Sequence, residues 1–204
     1  DLGVGTGAAT LALATQHPDI SIHGIDIQTN ILPVTQKSID ENGYSQNITL
    51  FEGNLKNRIM PGHFYNHVMM NPPFFDRTHY LNSPSHHKSL SHGESDATLS
   101  DWIQEAHRTL RSRGYITIIH TARRLDEILT ILSVNFGNIE VFPLWPKAGK
   151  ESKRVLVKAR KCVKGPFKLH AGLVLHNEDG TLTQQTHDIV HKEKPKNTRL
   201  NSNH

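Results

Sequence analysis

The chain has 204 residues, 36% of them hydrophobic and 21% charged, with a formal net charge of +4. That length suits one domain with a substantial core, and the hydrophobic share lies above that of a disordered chain. A single cysteine, Cys162, excludes an internal disulfide, and no apolar run approaches the ~20 residues that span a bilayer, so a reducing cytoplasm is the expected setting.

Asp1-Leu2-Gly3 reads as the tail of a β-strand running straight into a glycine loop. The body of that strand is not in the sequence, so the chain is expected to be a fragment lacking its N-terminal segment. A helix is predicted over 8–16, followed by an apolar strand, Ile20 to Asp26, and a second helix over about 30–42 that Gly43 closes. Ile48–Phe51 and His67–Met70 read as two further short strands, and Asp76–Ser95 as a long polar loop. Ser100-Asp101-Trp102 opens a helix to about Arg111, with Gly114 ending the connection to a β-branched strand, Tyr115–His120. An amphipathic helix over 123–135 places Leu125, Ile128, Leu129 and Leu132 on one face. Ile139–Leu144 and Arg154–Ala159 follow with no helix between them, which predicts an antiparallel hairpin ending an otherwise parallel sheet. Residues 172–176, a turn at Asn177-Glu178-Asp179-Gly180 and a short helix near 184–191 read as an appendage. The expected organisation is one domain over 1–165, that appendage over 166–191, and a disordered basic tail over 192–204.

Charge is unevenly distributed. Between 147 and 168, nine lysines and arginines (among them Lys147, Lys150, Lys153, Arg154, Lys158 and Arg160) face Glu151 alone, and the tail is basic too. The rest of the chain is therefore net acidic. One concentrated basic strip on an acidic body predicts a docking surface for a polyanion.

Gly3, Gly5 and Gly7 alternate between a strand and a helix. Glycine there lets the backbone turn tightly and lets a ligand approach where a Cβ would obstruct it, and the helix N-terminus adds free N–H groups. Asp26, ending the next strand, is positioned to accept from both hydroxyls of a ribose. Gly3, Gly5 and Ala8 also satisfy the dinucleotide fingerprint, with Asp26 at the spacing it expects, so this loop alone leaves NAD and S-adenosylmethionine both open. Asp1 favours the second: a carboxylate beside the loop suits a cationic amino group and repels a pyrophosphate.

Asn71-Pro72-Pro73-Phe74 follows the strand ending at Met70, at the edge of the sheet where α/β folds bind ligands. An aromatic amine is a poor nucleophile because its lone pair is delocalised into the ring. Two acceptors holding its hydrogens, the Asn71 side-chain oxygen and the Pro72 carbonyl, would draw the nitrogen toward sp³ and aim the lone pair at a methyl donor. Two prolines stiffen the corner, and Phe74 offers a face for stacking a base.

The glycine loop, Asp26 and Asn71–Phe74 together resemble class I methyltransferases that modify adenine N6, guanine N2 or glutamine N5. Further segments, Leu99-Ser100-Asp101-Trp102, Ile119-His120-Thr121-Ala122-Arg123-Arg124-Leu125, Pro143-Leu144-Trp145-Pro146, Lys153–Val157 and Leu173–His176, are similar in order and spacing to the bacterial valine-tRNA adenine-N6 methyltransferase family. The likeness runs to about residue 191. It implies a Rossmann-like α/β sheet of seven strands, mostly parallel with a C-terminal antiparallel hairpin and its first strand largely missing. It also implies S-adenosylmethionine as cofactor and tRNA as partner, in a monomer without membrane or metal. Where such enzymes commonly carry an aspartate that accepts from the cofactor's adenine amine, this chain has Asn54, which keeps an acceptor oxygen and loses the charge.

Three functions are consistent with these residues: an RNA adenine-N6 methyltransferase, a glutamine-N5 or rRNA guanine-N2 methyltransferase, and an RNA-binding fragment without catalysis. Fifteen histidines, including His86, His87 and His92, show no metal-ligand spacing.

Overall fold

The computed structural model describes residues 1–73 and 97–191. Gly7, in the left-handed region at φ 80°, turns the glycine loop into α1 (Ala8–Gln16). The chain then forms β1 (Ile22–Asp26), α2 (Leu32–Glu41), β2 (Ile48–Glu52) and β3 (Tyr65–Met70). After the undescribed stretch come α3 (Leu99–Thr109), β4 (Leu110–Thr121), α4 (Leu125–Asn135), β5 (Phe136–Trp145) and β6 (Arg154–Lys161). Two-residue strands β7 (Lys168–Leu169) and β8 (Leu173–Val174) and a short α5 (Gln184–Val190) complete it.

β1 pairs in parallel with β2, and β3 with β4. Leu2 joins the two pairs, bridging in parallel to Ile25 on one side and Met70 on the other. β6 inserts antiparallel between β4 and β5, so the sheet runs β2, β1, Leu2, β3, β4, β6, β5. That is the mostly parallel α/β sheet with an antiparallel C-terminal hairpin expected from the sequence. β7 and β8 add short parallel pairings to β5.

α3 starts with a capping box: the Thr98 side chain accepts from the Asp101 backbone N–H, and the Asp101 carboxylate accepts from Thr98. Its buried residues Leu99, Trp102, Ile103 and Ala106 repeat at helical spacing and pack on the sheet. Glu105, also buried, is held by Arg108 through two hydrogen bonds of 2.8 and 2.6 Å, and Arg108 reaches the Met60 carbonyl.

The core divides in two. The larger cluster combines Ile116, Ile118, Val141, Val155 and Val157 of the sheet with Ile103, Ala106, Ile128 and Leu132 of α3 and α4. The smaller gathers Ala14, Ile22, Ile39 and Ile48 from α1, β1, α2 and β2. Each Val, Leu or Ile among them contributes about 1.5–3 kcal/mol on burial. Beneath Leu2 the halves touch again, where His23 bonds the Tyr65 hydroxyl at 2.8 Å and packs near Phe51 and Phe64.

Two boundaries differ most from the sequence reading. Gly114 lies inside β4 rather than in a connection, because α3 passes directly into that strand. β5 begins at Phe136, not at Ile139, with a register shift between Gly137 and Glu140 and Asn138 at φ 47°. The polar loop over 76–95 and the basic tail over 192–204 lie outside the described residues. Among the described residues no helix is long and apolar enough to cross a membrane.

Candidate active site

The glycine loop is fastened mainly to β1. Gly3 and Val4 both donate to the Ile25 carbonyl, at 2.8 and 3.0 Å, while Leu2 donates to Met69 at 3.0 Å. The three glycines do different jobs. A Cβ on Gly3 would lie 2.6 Å from the Trp102 ring, and one on Gly7 would lie 2.7 Å from Thr35, so these two glycines let helices pack close. A Cβ on Gly5 would meet nothing within 4 Å. Gly5 is therefore the open position of the loop.

Asp26 is buried at the end of β1, and each of its oxygens is already bonded once. One accepts from the Gly5 N–H at 2.8 Å and the other from Gln28 N–H at 2.9 Å. A carboxylate oxygen has two acceptor sites, so each keeps one for a hydroxyl. The bonds fix the direction in which those remaining sites point. The Asp1 carboxylate accepts from the Thr10 hydroxyl at 2.6 Å, which aims it across the first turn of α1. Thr35, fully buried on α2, donates to the Gly5 carbonyl at 2.5 Å and ties the loop from the other side. Neither threonine was identified from the sequence. A hydroxyl one turn into the helix after such a loop is a faint signal for Thr10, and nothing local marks Thr35.

Asn54 lies just past β2, but its side-chain oxygen accepts from the Lys56 N–H at 2.9 Å and caps a short 3₁₀ turn over 55–57. One acceptor site of the amide oxygen is thus committed to backbone, which the sequence reading did not anticipate.

Asn71 directly follows Met70, the residue bridged to Leu2, just as Gly3 directly follows Leu2 on the neighbouring segment. The two therefore leave the same edge of the sheet side by side. Asn71 and Pro73 are exposed and Pro72 is buried, so the corner is anchored by its middle residue. Phe74 lies outside the described residues. Behind the corner stands His120, fully buried near the end of β4. Met70 pairs with Ile118, which puts His120 level with Pro72. Burial and the Arg124 charge lower its pKa, while the nearby backbone of Thr121 and Pro73 and the Glu127 charge oppose that shift.

The basic strip is spread along the length of β6 rather than gathered at one end. β6 runs antiparallel to β4, pairing Arg154 with Thr121 and Arg160 with Tyr115. Arg154 and the turn carrying Lys150 and Lys153 thus lie at the Asn71 edge, whereas Lys158 and Arg160 run toward the opposite end. Lys147 donates to the Glu178 carbonyl, and Lys168 pairs with Glu140. Lys161 points inward, donating to the carbonyls of His107 and Leu110, and burial lowers its pKa. Strand length separates Arg154 from Arg160 along the outward face of β6, and strand alternation turns only Lys161 inward.

Among the described residues no group of three or more His, Cys, Asp or Glu gathers as a metal site. His86, His87 and His92 lie outside those residues.

A parallel sheet with a glycine loop at one edge and a buried acid ending the next strand defines a nucleoside-binding α/β protein. The chain belongs to the methyltransferase small domain family, whose sequence profile matches residues 1–144. It is 24% identical over 166 residues to a tRNA1(Val) (adenine(37)-N6)-methyltransferase of Porphyromonas gingivalis, covering 76% of this chain and 62% of that protein. It is 27% identical over 150 residues to a release factor glutamine methyltransferase of Prochlorococcus marinus, covering 69% of this chain and 50% of the relative. The chain thus spans less than two thirds of the length of these curated relatives. A solved structure described as a predicted O-methyltransferase, Atu636 of Agrobacterium tumefaciens, superposes with a TM-score of 0.75 at 24% identity. That match covers 93% of this chain and 86% of the other, and it shows the same fold.

Family and fold imply S-adenosylmethionine as methyl donor. The residues present fit it: Gly5 leaves open space at the loop, and Asp26 keeps one acceptor site on each oxygen. Asp1, Gly5 and Asp26 would hold the group, with Gly3 and Gly7 shaping the loop.

Proposed function

We propose that this chain is an S-adenosylmethionine-dependent N-methyltransferase acting on the exocyclic N6 amine of an adenine in tRNA. The observation that carries this reading is the emergence of Asn71 beside Gly3 at one sheet edge, exposed and anchored by the buried Pro72. S-adenosylmethionine, when bound, supplies an electrophilic methyl group. The Asn71 amide oxygen and the Pro72 carbonyl accept the two hydrogens of the amine and orient its lone pair. The new N–C bond would form as the methyl–sulfur bond breaks, with S-adenosylhomocysteine as the leaving group, and the methylated nitrogen would give up a proton to solvent. The chain's work is orientation and exclusion of water, so no strong base is required at the corner.

Lys150, Lys153 and Arg154 at the same edge favour an anionic substrate. The similarity to a tRNA adenine-N6 methyltransferase supports the choice of adenine. The similarity to a glutamine methyltransferase supports a second reading, because an amide nitrogen presents the same two hydrogens to the same two acceptors. A cytoplasmic setting goes with either.

Methyl transfer from labelled cofactor to total tRNA tests the reading, with nucleoside analysis of the product. Label is expected in N6-methyladenosine for wild type, and a loss of at least about 100-fold for Asn71→Ala with cofactor affinity retained. Label in protein would establish the glutamine reading, label in ribosomal RNA the guanine one. Transfer by Asn71→Ala equal to wild type would overturn the mechanism.

A further inference from the structure

At the end of the sheet remote from Asn71, the starts of β3 and β4 and the end of β6 border an open concavity of about 590 Å³. Asn66, Arg111, Arg113, Tyr115 and Arg160 line it, with His67 at its side, and no carboxylate does. Arg111 and Arg113 are exposed and Arg160 half-exposed. None of the three forms an ion pair among the described residues. Three uncompensated guanidinium groups around one concavity repel each other, and the folded chain holds them there nonetheless.

Their arrangement is built rather than incidental. Arg160 donates from Nε to the Arg113 carbonyl at 2.9 Å, which fixes its plane and leaves its terminal N–H groups for a ligand. The Arg160 guanidinium lies 5.1 Å from the Tyr115 ring centroid, and the Lys158 ammonium lies 4.8 Å from it. Cation–π contact with one ring thus positions two long basic side chains before any ligand arrives, which lowers the ordering cost of binding. The Asn66 amide oxygen, with the amide turned to suit its neighbours, accepts from Arg111 at 2.6 Å. Glu140, the cross-strand partner of Lys158, is engaged by Lys168 and His170. The local field is positive enough that Lys158 adds to burial in lowering the pKa of His67.

Rigid guanidinium forks without carboxylate partners match phosphate oxygens in charge and geometry. We propose that this concavity binds backbone phosphates of the RNA substrate, forming a second anchoring site distinct from the basic residues at the catalytic edge. The inference rests on the RNA reading above and adds to it where the chain of phosphates runs. Asn66 and Asn71 are separated along β3 by five residues, or about 17 Å at strand rise. A polynucleotide entering the Asn71 edge can follow the outward face of β6, past Arg154 and Lys158, to Arg160. An isolated nucleoside cannot span that distance.

The test is tRNA binding by the full chain, measured by fluorescence anisotropy across a range of salt, for wild type and the Arg111→Gln/Arg113→Gln double variant. Both positions are exposed, so folding should persist, and affinity for S-adenosylhomocysteine controls for it. The double variant is expected to bind tRNA about 10-fold or more weakly, with the slope of log K against log salt reduced by about one to two. In methyl transfer its KM for tRNA should rise without a matching fall in kcat. Unchanged tRNA affinity and salt slope in the double variant would overturn this proposal alone. Absence of tRNA binding by wild type would overturn the RNA reading and this proposal together.

Discussion

The indole of Trp102 occupies the space that a side chain on Gly3 would need, its Cη2 lying 2.6 Å from the position of a Cβ there. Gly3 also sits at φ 74°, where L-residues are disfavoured. Gly3→Ala is therefore expected to destabilise the chain by about 2–4 kcal/mol through overpacking and backbone strain together. Trp102→Ala creates a cavity instead, and the double variant should lose less than the sum of the two, because only the strain persists. Urea midpoints for the cycle check this; strict additivity would refute the contact. The Trp102 Nε1–H has no hydrogen-bond partner among the described residues, so Trp102→Phe should cost only volume.

Asp26 holds Gly5 and Gln28 by their N–H groups, and each bond is to a charged acceptor. Asp26→Asn keeps the shape but turns an NH₂ toward one of those donors. Stability should fall by about 1–3 kcal/mol and affinity for S-adenosylhomocysteine by about 10-fold or more, measured by denaturation and calorimetry. Cofactor affinity equal to wild type would remove Asp26 from the binding site.

Four histidines, His23 among them, carry a pH dependence of one sign. Burial is the leading cause that lowers the pKa values of His67, His107 and His120 from 6.5; the charges of Lys158, of Lys161 and His63, and of Arg124 respectively add to it. The unfolded chain then binds more protons than the folded one between each folded pKa and 6.5. Stability is thus complete above 6.5, declines as pH falls through that window, and levels off below the folded values. Urea midpoints taken near pH 7.5 and pH 5.5 should differ in that direction, and His120→Gln should flatten the curve. A wild-type midpoint that rises on acidification would contradict the lowered pKa values of these rings.

Glu105 is buried against Arg108, which also reaches the Met60 carbonyl. Glu105→Ala leaves a half-buried guanidinium without its carboxylate and should cost about 2–4 kcal/mol in thermal or urea unfolding. Replacement of both residues by Met should recover part of that loss; an exposed pair would give less than about 1 kcal/mol for the single change.

Elements with a strong local signature were legible in the sequence. The 8–16 helix follows a glycine loop and is rich in alanine and leucine, and β4 carries a run of β-branched residues, so both were found. The entry to β5 was hidden because Gly137 and Asn138 resemble a turn, while in the fold they sit at a register shift. β7 and β8 are two residues each, too short for any periodicity. In the candidate site, Gly5, Asp26 and Asn71 are marked by their spacing along the chain. Thr35, Trp102 and His120 gain their positions only from packing of elements far apart in sequence. His120 left one trace: a polar residue on the inward phase of a strand whose neighbours Ile116 and Ile118 are buried. The basic strip was legible as composition, but not that Lys161 turns inward or that Arg154 and Arg160 lie at opposite ends of β6.

The two halves of the sheet are hydrogen-bonded to each other through Leu2, with the larger core reaching across to Ile25, and Asp26 and Asn71 stand on opposite sides of that seam. Any molecule gripped by both shores acts as a clasp. Occupancy at 100 times the dissociation constant adds about 2.7 kcal/mol to the closed form. Amide hydrogen exchange at Leu2, Gly3 and Val4 should then slow in step with that of β1 and β2, while the interior of β4 and β6 barely changes. The smaller half would breathe as a unit when empty and fall silent when filled.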